Sequence, residues 1–214
     1  LSDIGAIINK IKTLLEKSTL NEAKIILSDF YFKEKKFIQA YELIKKYSDN
    51  ENEKIEFVKN LIRLKEYEIA QTVIEDIMKN SGDKKILQLA VMQLAKIFEK
   101  LVISDTYELP TTKNIIKNEL LDSQFLKVNN NNSQFLSKAI SIYDSLRVNS
   151  RDNESTYYLA EIKYRILGDL DGAELLYNNI INSKSQKFKS DSKNRIIDIQ
   201  ISKGNLKQAI ETID

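Results

Sequence analysis

At 214 residues, with 33 basic against 31 acidic side chains and a formal net charge of +2, the chain gives no global electrostatic argument for a nucleic-acid partner. It contains no cysteine and no histidine, which excludes disulfides, thiolate chemistry, the usual zinc sites and Ser–His or Cys–His catalysis. One proline, five glycines and 42% hydrophobic residues favour long helices over sheets, and no apolar run reaches the roughly 18 residues of a membrane span.

The lysine content carries little functional weight, because 28 Lys stand against 5 Arg beside 19 Asn, a bias that an AT-rich coding genome produces on its own. The glycines, at 5, 82, 168, 172 and 204, spell neither of the common phosphate-binding patterns, and no cofactor is expected. The chain begins at Leu1 rather than Met and stops at Asp214 soon after a second-helix signature starts. A longer parent chain is therefore expected, and the compartment, cytoplasmic or periplasmic, stays open.

Residues 3–16 place Ile4, Ile7, Ile8, Ile11, Leu14 and Leu15 on one face, the stripe of a helix that packs on a following hairpin. Thr19 to Glu22 reads T-x-x-E, a capping box that predicts a helix from Leu20 to Lys35, with Phe37–Tyr47 as its partner. Asp49 to Asn52 is a polar turn rich in N-cap residues, followed by predicted helices over 53–65 and 67–80. Ser81-Gly82-Asp83 ends that pair and caps a helix over 84–103. Predicted helices over 135–148, 154–167, 170–183 and 190–203 follow, and a last one starts at Leu206. Gly168 and Gly204 can end helices at positive φ, and Asp169 can cap the next one.

A small residue followed four positions later by a large one recurs after the turns: Ala40/Ile44, Ala70/Ile74, Ala139/Tyr143, Ala173/Tyr177 and Ala209/Ile213. A methyl group lets two helices approach closely, and the large partner fills the space one turn on. The separations are 70 − 40 = 30, 139 − 70 = 69, 173 − 139 = 34 and 209 − 173 = 36, near a period of about 34 counted once or twice. The large first-helix residue precedes the alanine by nine positions (31 to 40, 61 to 70), so Phe98 predicts an alanine near 107, yet it comes at Ala139. That gap predicts an insertion at about 104–134 within the third hairpin, holding Pro110, a short helix over 113–127 and Asn129–Asn132. Such lengthening costs little, whether it is a solvated loop or a binding arm.

With Gly-Asp-Leu-x2-Ala at 168–173 and Gly-Asn-Leu-x2-Ala at 204–209, the pattern resembles the tetratricopeptide repeat (TPR) family over nearly the whole chain, without that family's Trp and repeat-ending Pro. The resemblance implies an all-α, right-handed α-solenoid of about four and a half TPR-like hairpins, forming a single domain over 1–214. It also implies a non-enzymatic protein-protein interaction scaffold within a multi-subunit assembly, by family habit one of the cell envelope.

By the same resemblance, the first helix of each hairpin lines a concave groove. That places Asp29 and Lys33, Lys59 and Arg63, Lys96 and Lys100, and Glu161 and Arg165 on it as i, i+4 pairs. Six of the eight are basic, so a preference for an acidic protein or peptide segment is expected. Ile25 and Ile55 stand where the family's Lys/Asn clamp for chaperone-tail carboxylates would have its first-repeat basic residue and its second-repeat counterpart, which argues against that ligand. A different reading uses Lys184, Lys187, Lys189, Lys193 and Arg195, whose charge against Asp191 is 5 − 1 = +4, either as a phosphate-backbone patch or as a solvated loop. Paired carboxylates such as Glu51/Glu53 and Glu119/Asp122 fall in predicted turns or on exposed faces, where solvation keeps them ordinary, so catalysis is not expected. Self-association through the solenoid ends is a further expectation.

Overall fold

The computed structural model describes residues 2–102, 133–150 and 152–213, and every regular element among them is an α-helix. In chain order these are α1 (Ser2–Lys17), α2 (Asn21–Lys33), α3 (Phe37–Tyr47), α4 (Glu51–Arg63), α5 (Tyr67–Asn80), α6 (Lys84–Val102), α7 (Ser133–Ser150), α8 (Asn153–Arg165), α9 (Leu170–Ile181), α10 (Lys189–Ser202) and α11 (Leu206–Ile213). The chain divides into two compact units, 1–94 and 95–214, and the division falls inside α6. The first unit packs α1 on α2 and holds the hairpins α2–α3 and α4–α5; the second holds α7, the hairpins α8–α9 and α10–α11, and the end of α6.

The alanine positions are among the most buried of the described residues. Ala40, Ala70, Ala139 and Ala173 are completely buried and Ala209 nearly so, while the large partners Ile74, Tyr143 and Tyr177 are also fully enclosed. Burying a side chain such as Ile74 contributes roughly 1.5–3 kcal/mol. The spacing that makes the repeat visible in the sequence is therefore the spacing of its core.

A second feature shares that phase. Positive φ occurs at Lys35 (59°), Lys65 (63°), Gly168 (67°) and Gly204 (78°). Each stands four positions after the large first-helix residue and five before the buried alanine: Tyr31–Lys35–Ala40, Leu61–Lys65–Ala70, Tyr164–Gly168–Ala173 and Gln200–Gly204–Ala209. In three of these turns the next backbone N–H reaches back to the large residue's carbonyl, from Lys36 to Tyr31 (2.8 Å), Glu66 to Leu61 (3.0 Å) and Asn205 to Gln200 (2.8 Å). This left-handed closure satisfies carbonyls that a helix end leaves free. In α8 the regular turns stop one residue sooner relative to that phase, and the Asp169 N–H bonds the Lys163 carbonyl instead (2.8 Å).

Several boundaries differ from expectation. The capping box at Thr19 does not form: α2 starts at Asn21 with Leu20, one residue later, in the cap position and no side-chain cap, and the Ser18 hydroxyl accepts the Leu20 N–H (3.2 Å). The α2 helix also stops at Lys33, since Lys35 already belongs to the left-handed turn. The α4 helix begins at Glu51, two residues before the expected start, with the Asn50 side chain accepting the Asn52 N–H (3.1 Å). Asp83, Asp152 and Asp169 cap α6, α8 and α9 through their carboxylates.

The third hairpin closes across its long connection. Phe98 on α6 stacks on Phe135 of α7, with centroids 5.6 Å apart, and the Tyr143 hydroxyl donates to Glu99 (3.1 Å). Ser133 and Gln134, expected in the insertion, belong to α7. Pro110, the helix predicted over 113–127, Glu119, Asp122 and the Asn129–Asn132 run lie outside the described residues.

Candidate functional site: the first-helix surfaces

Each unit carries a depression between two consecutive first helices. In the first unit, Ile25, Ser28, Asp29 and Phe32 of α2 face Glu53, Glu56, Phe57 and Asn60 of α4 around a cavity of about 200 Å³, with Ile44 of α3 below. Both sets follow i, i+3, i+4, i+7, so each is one stripe of its helix. The Phe32 and Phe57 rings meet edge to face, centroids 5.2 Å apart. This lining holds three carboxylates and no base.

Those carboxylates differ in what surrounds them. Glu56 pairs with Lys59 (3.0 Å) and Arg63 (3.7 Å). Asp29 is exposed and has no ion-pair or hydrogen-bond partner among the described residues. Glu53 Oε2 is buried without a hydrogen-bond donor among the described residues, contrary to the solvated position expected for it. Its neighbour Glu51 accepts the Ser81 hydroxyl (2.8 Å).

In the second unit, Glu99 and Lys100 of α6 face Tyr157, Tyr158, Glu161 and Arg165 of α8 around a cavity of about 180 Å³. Here the acids are engaged. Glu161 accepts Arg195 Nε (2.7 Å) and the Tyr177 hydroxyl (2.7 Å), with Arg165 at 3.6 Å. Burial works against the Arg195 charge, but the Glu161 carboxylate more than offsets it and holds the guanidinium protonated. Burial, then Glu161, pushes the Tyr157 hydroxyl up to about 12. Glu99 has the opposite balance, because burial raises its carboxyl above the ordinary carboxylate range despite nearby Lys100 and the Tyr143 hydrogen bond.

The expected groove residues are thus placed unevenly. Asp29, Lys100, Glu161 and Arg165 line the two depressions. Lys59 and Arg63 sit beside the first one, tied to Glu56, and Lys33 is exposed one turn beyond it. Lys96 is half-buried, pairing with Glu154 (2.8 Å) and lying over the Tyr158 ring at 4.5 Å. Four of the six expected bases, Lys59, Arg63, Lys96 and Arg165, therefore have a carboxylate partner, which removes most of the positive field on which an acidic-ligand preference would rest. Sequence reasoning missed Phe32, Glu56, Phe57 and Tyr158 as lining residues and set Glu53 aside as solvated, although the i, i+3, i+4, i+7 stripes of α2 and α4 were readable.

The basic patch is likewise folded into the structure. The Asn153 side-chain amide donates to the Ser183 hydroxyl (2.8 Å) and the Lys187 carbonyl (3.1 Å), and Phe188, at φ 65°, stacks on Tyr157 with centroids 4.6 Å apart. Lys187 pairs with Glu154, and Arg195 with Glu161 and Asp198. Lys184 and Lys193 are exposed and Lys189 is half-buried. Two of the five charges are consumed within the chain, so the local excess is far below the formal +4.

Neither a family model nor a curated protein sequence matches the chain. Among solved structures it is similar to a thermophilic TPR protein of Thermus thermophilus, with a TM-score of 0.52 and 13% identity over 90% of this chain and 87% of that one. The chain has a TPR-type helical-repeat fold. The buried-alanine phase described above is what its helical hairpins share, and four of them also share the left-handed turn. No helix among the described residues is long and apolar enough to cross a membrane.

Proposed function

We propose that the chain is a non-catalytic protein-interaction scaffold whose first-helix surfaces hold a segment of a partner protein, within a larger assembly. The observation that carries this reading is the pair of open, aromatic-sided depressions between consecutive first helices, backed by hairpins whose alanine positions are fully buried. A surface that is rigid beforehand binds without ordering itself, so less of the interaction energy is lost on association.

The test is recovery of partners from source lysate, with and without nuclease, by the whole chain and by two variants checked for helicity. One variant is Asp29→Arg with Asn60→Arg; the other is Lys100→Glu with Arg165→Glu. Ile4, Ile7, Ile11 and Leu14 on α1 and Leu206 and Ile210 on α11 are exposed, so self-association is proposed as well and size-exclusion chromatography runs alongside. A protein recovered by the wild type and lost in either variant supports the scaffold. Recovery indifferent to both variants, and abolished by nuclease, supports a nucleic-acid partner instead.

A further inference from the structure

We infer that the depression between α2 and α4 takes an arginine side chain from a basic, otherwise apolar, segment of the partner protein, an inference that rests on the scaffold reading above. Three properties converge. The lining has carboxylates from both helices and no base. The Phe32 and Phe57 rings, with Ile25 and Ile44, make up its apolar part. Asp29 is exposed and has no ion-pair or hydrogen-bond partner among the described residues, so its carboxylate is open to a ligand. A carboxylate with no internal partner, in a depression that holds no base, gains a charge-assisted hydrogen bond from a ligand that brings N–H groups.

Arginine fits these needs better than lysine. Its planar guanidinium carries five donors in a fork that suits carboxylates, is weakly hydrated, and packs flat on aromatic rings. A cavity of about 200 Å³ is also the size of one long side chain rather than of a folded element. Glu56 contributes less, because Lys59 and Arg63 already engage it. The depression in the second unit has Lys100 and Arg165 in its own wall and offers no such site.

Two measurements on the whole chain test this. In the first, random twelve-residue peptides displayed on phage are panned on the wild type and on Asp29→Asn with Glu53→Gln. Arginine flanked by apolar residues should dominate the enriched set, with binding to the variant at least tenfold weaker. In the second, an enriched peptide is titrated against the wild type in parallel with its citrulline counterpart, which keeps the shape and removes the charge. A loss of at least tenfold on that exchange is expected, and this readout does not depend on how well the variant folds. Enriched peptides that lack arginine, or that bind equally as citrulline, overturn the inference while leaving the scaffold reading standing. If no peptide is enriched on the wild type, the scaffold reading itself fails and the inference falls with it.

Discussion

The depression between α2 and α4 and the one between α6 and α8 are both framed by consecutive first helices and sided by aromatic rings, yet they treat negative charge differently. In the second unit the carboxylate of Glu161 is the centre of a network: Arg195 comes from two helices further along, Tyr177 from the partner helix of the hairpin, and Arg165 from one turn away. In the first unit Asp29 and Glu53 have no such partners. One acidic position has thus become part of what holds neighbouring hairpins together, while the other set is left for something outside the chain. The lesson is that the position of an acid in a repeat does not decide its role; its role follows from whether a later repeat sends a base to meet it.

The largest effect that can break this comparison is at Glu161. Glu161→Ala leaves the half-buried Arg195 guanidinium with Asp198 alone (3.3 Å) and the Tyr177 hydroxyl without its acceptor, and should cost about 2 kcal/mol, read as a lower urea midpoint by circular dichroism, whereas Asp29→Ala should stay within about 0.5 kcal/mol of wild type. Equal losses would mean that the two acids are not distinguished as described.

A smaller effect sharpens it at Glu99. Its folded pKa is raised, so the folded state binds the proton more readily than the unfolded one, and the penalty on folding is present at high pH and relieved as pH falls through the folded value. Glu99→Gln should therefore stabilise the protein by about 1 kcal/mol at pH 8 and by little near pH 4. Burial opposes the charge of Glu154, but hydrogen bonds from Lys187 and Lys96 outweigh it and lower the pKa. Asp169 is lowered by Lys163 and by the Gly172 N–H. Both contribute stability at neutral pH that is lost as pH falls through their folded values, so both proteins lose stability in acid while the difference between them closes as Glu99 becomes protonated. Thermal melts across that range check the sign.

The smallest effect tests the turns. Lys35→Gly removes a left-handed strain that Gly168 does not have, and after the added freedom of the unfolded chain it should stabilise by about 0.5 kcal/mol, while Gly168→Ala should cost about 1 kcal/mol. Opposite shifts in melting temperature are expected.

The core of the fold was readable because alanine at a fixed distance before a large residue is a local pattern, and Ala40, Ala70, Ala139, Ala173 and Ala209 all proved buried. The turns at Gly168 and Gly204 were readable for the same reason. Lys35 and Lys65 were not, since lysine carries no preference for the left-handed region, and only the common phase with the glycines reveals them. Thr19 misled because a capping box is a pattern of types, and the helix takes Leu20 as its cap instead, with the Leu20 N–H bonded to the Ser18 hydroxyl. The charges were least legible. Pairs such as Glu161–Arg195 and Lys96–Glu154 join residues 34 and 58 positions apart, and nothing in either neighbourhood announces the other.

The way α6 meets α7 has a practical consequence. Three of the other hairpins turn in three residues, at 34–36, 64–66 and 203–205, yet this one keeps its ring stack and its tyrosine–glutamate bond with residues 103–132 in between. The turn between paired helices is therefore where this architecture accepts extra chain, because the helix contacts, and not the length of the connection, hold the pair. A reporter domain spliced between Lys35 and Lys36 or between Gly204 and Asn205 should leave both neighbours docked, whereas the same splice within α4 would cut a stripe that two surfaces share.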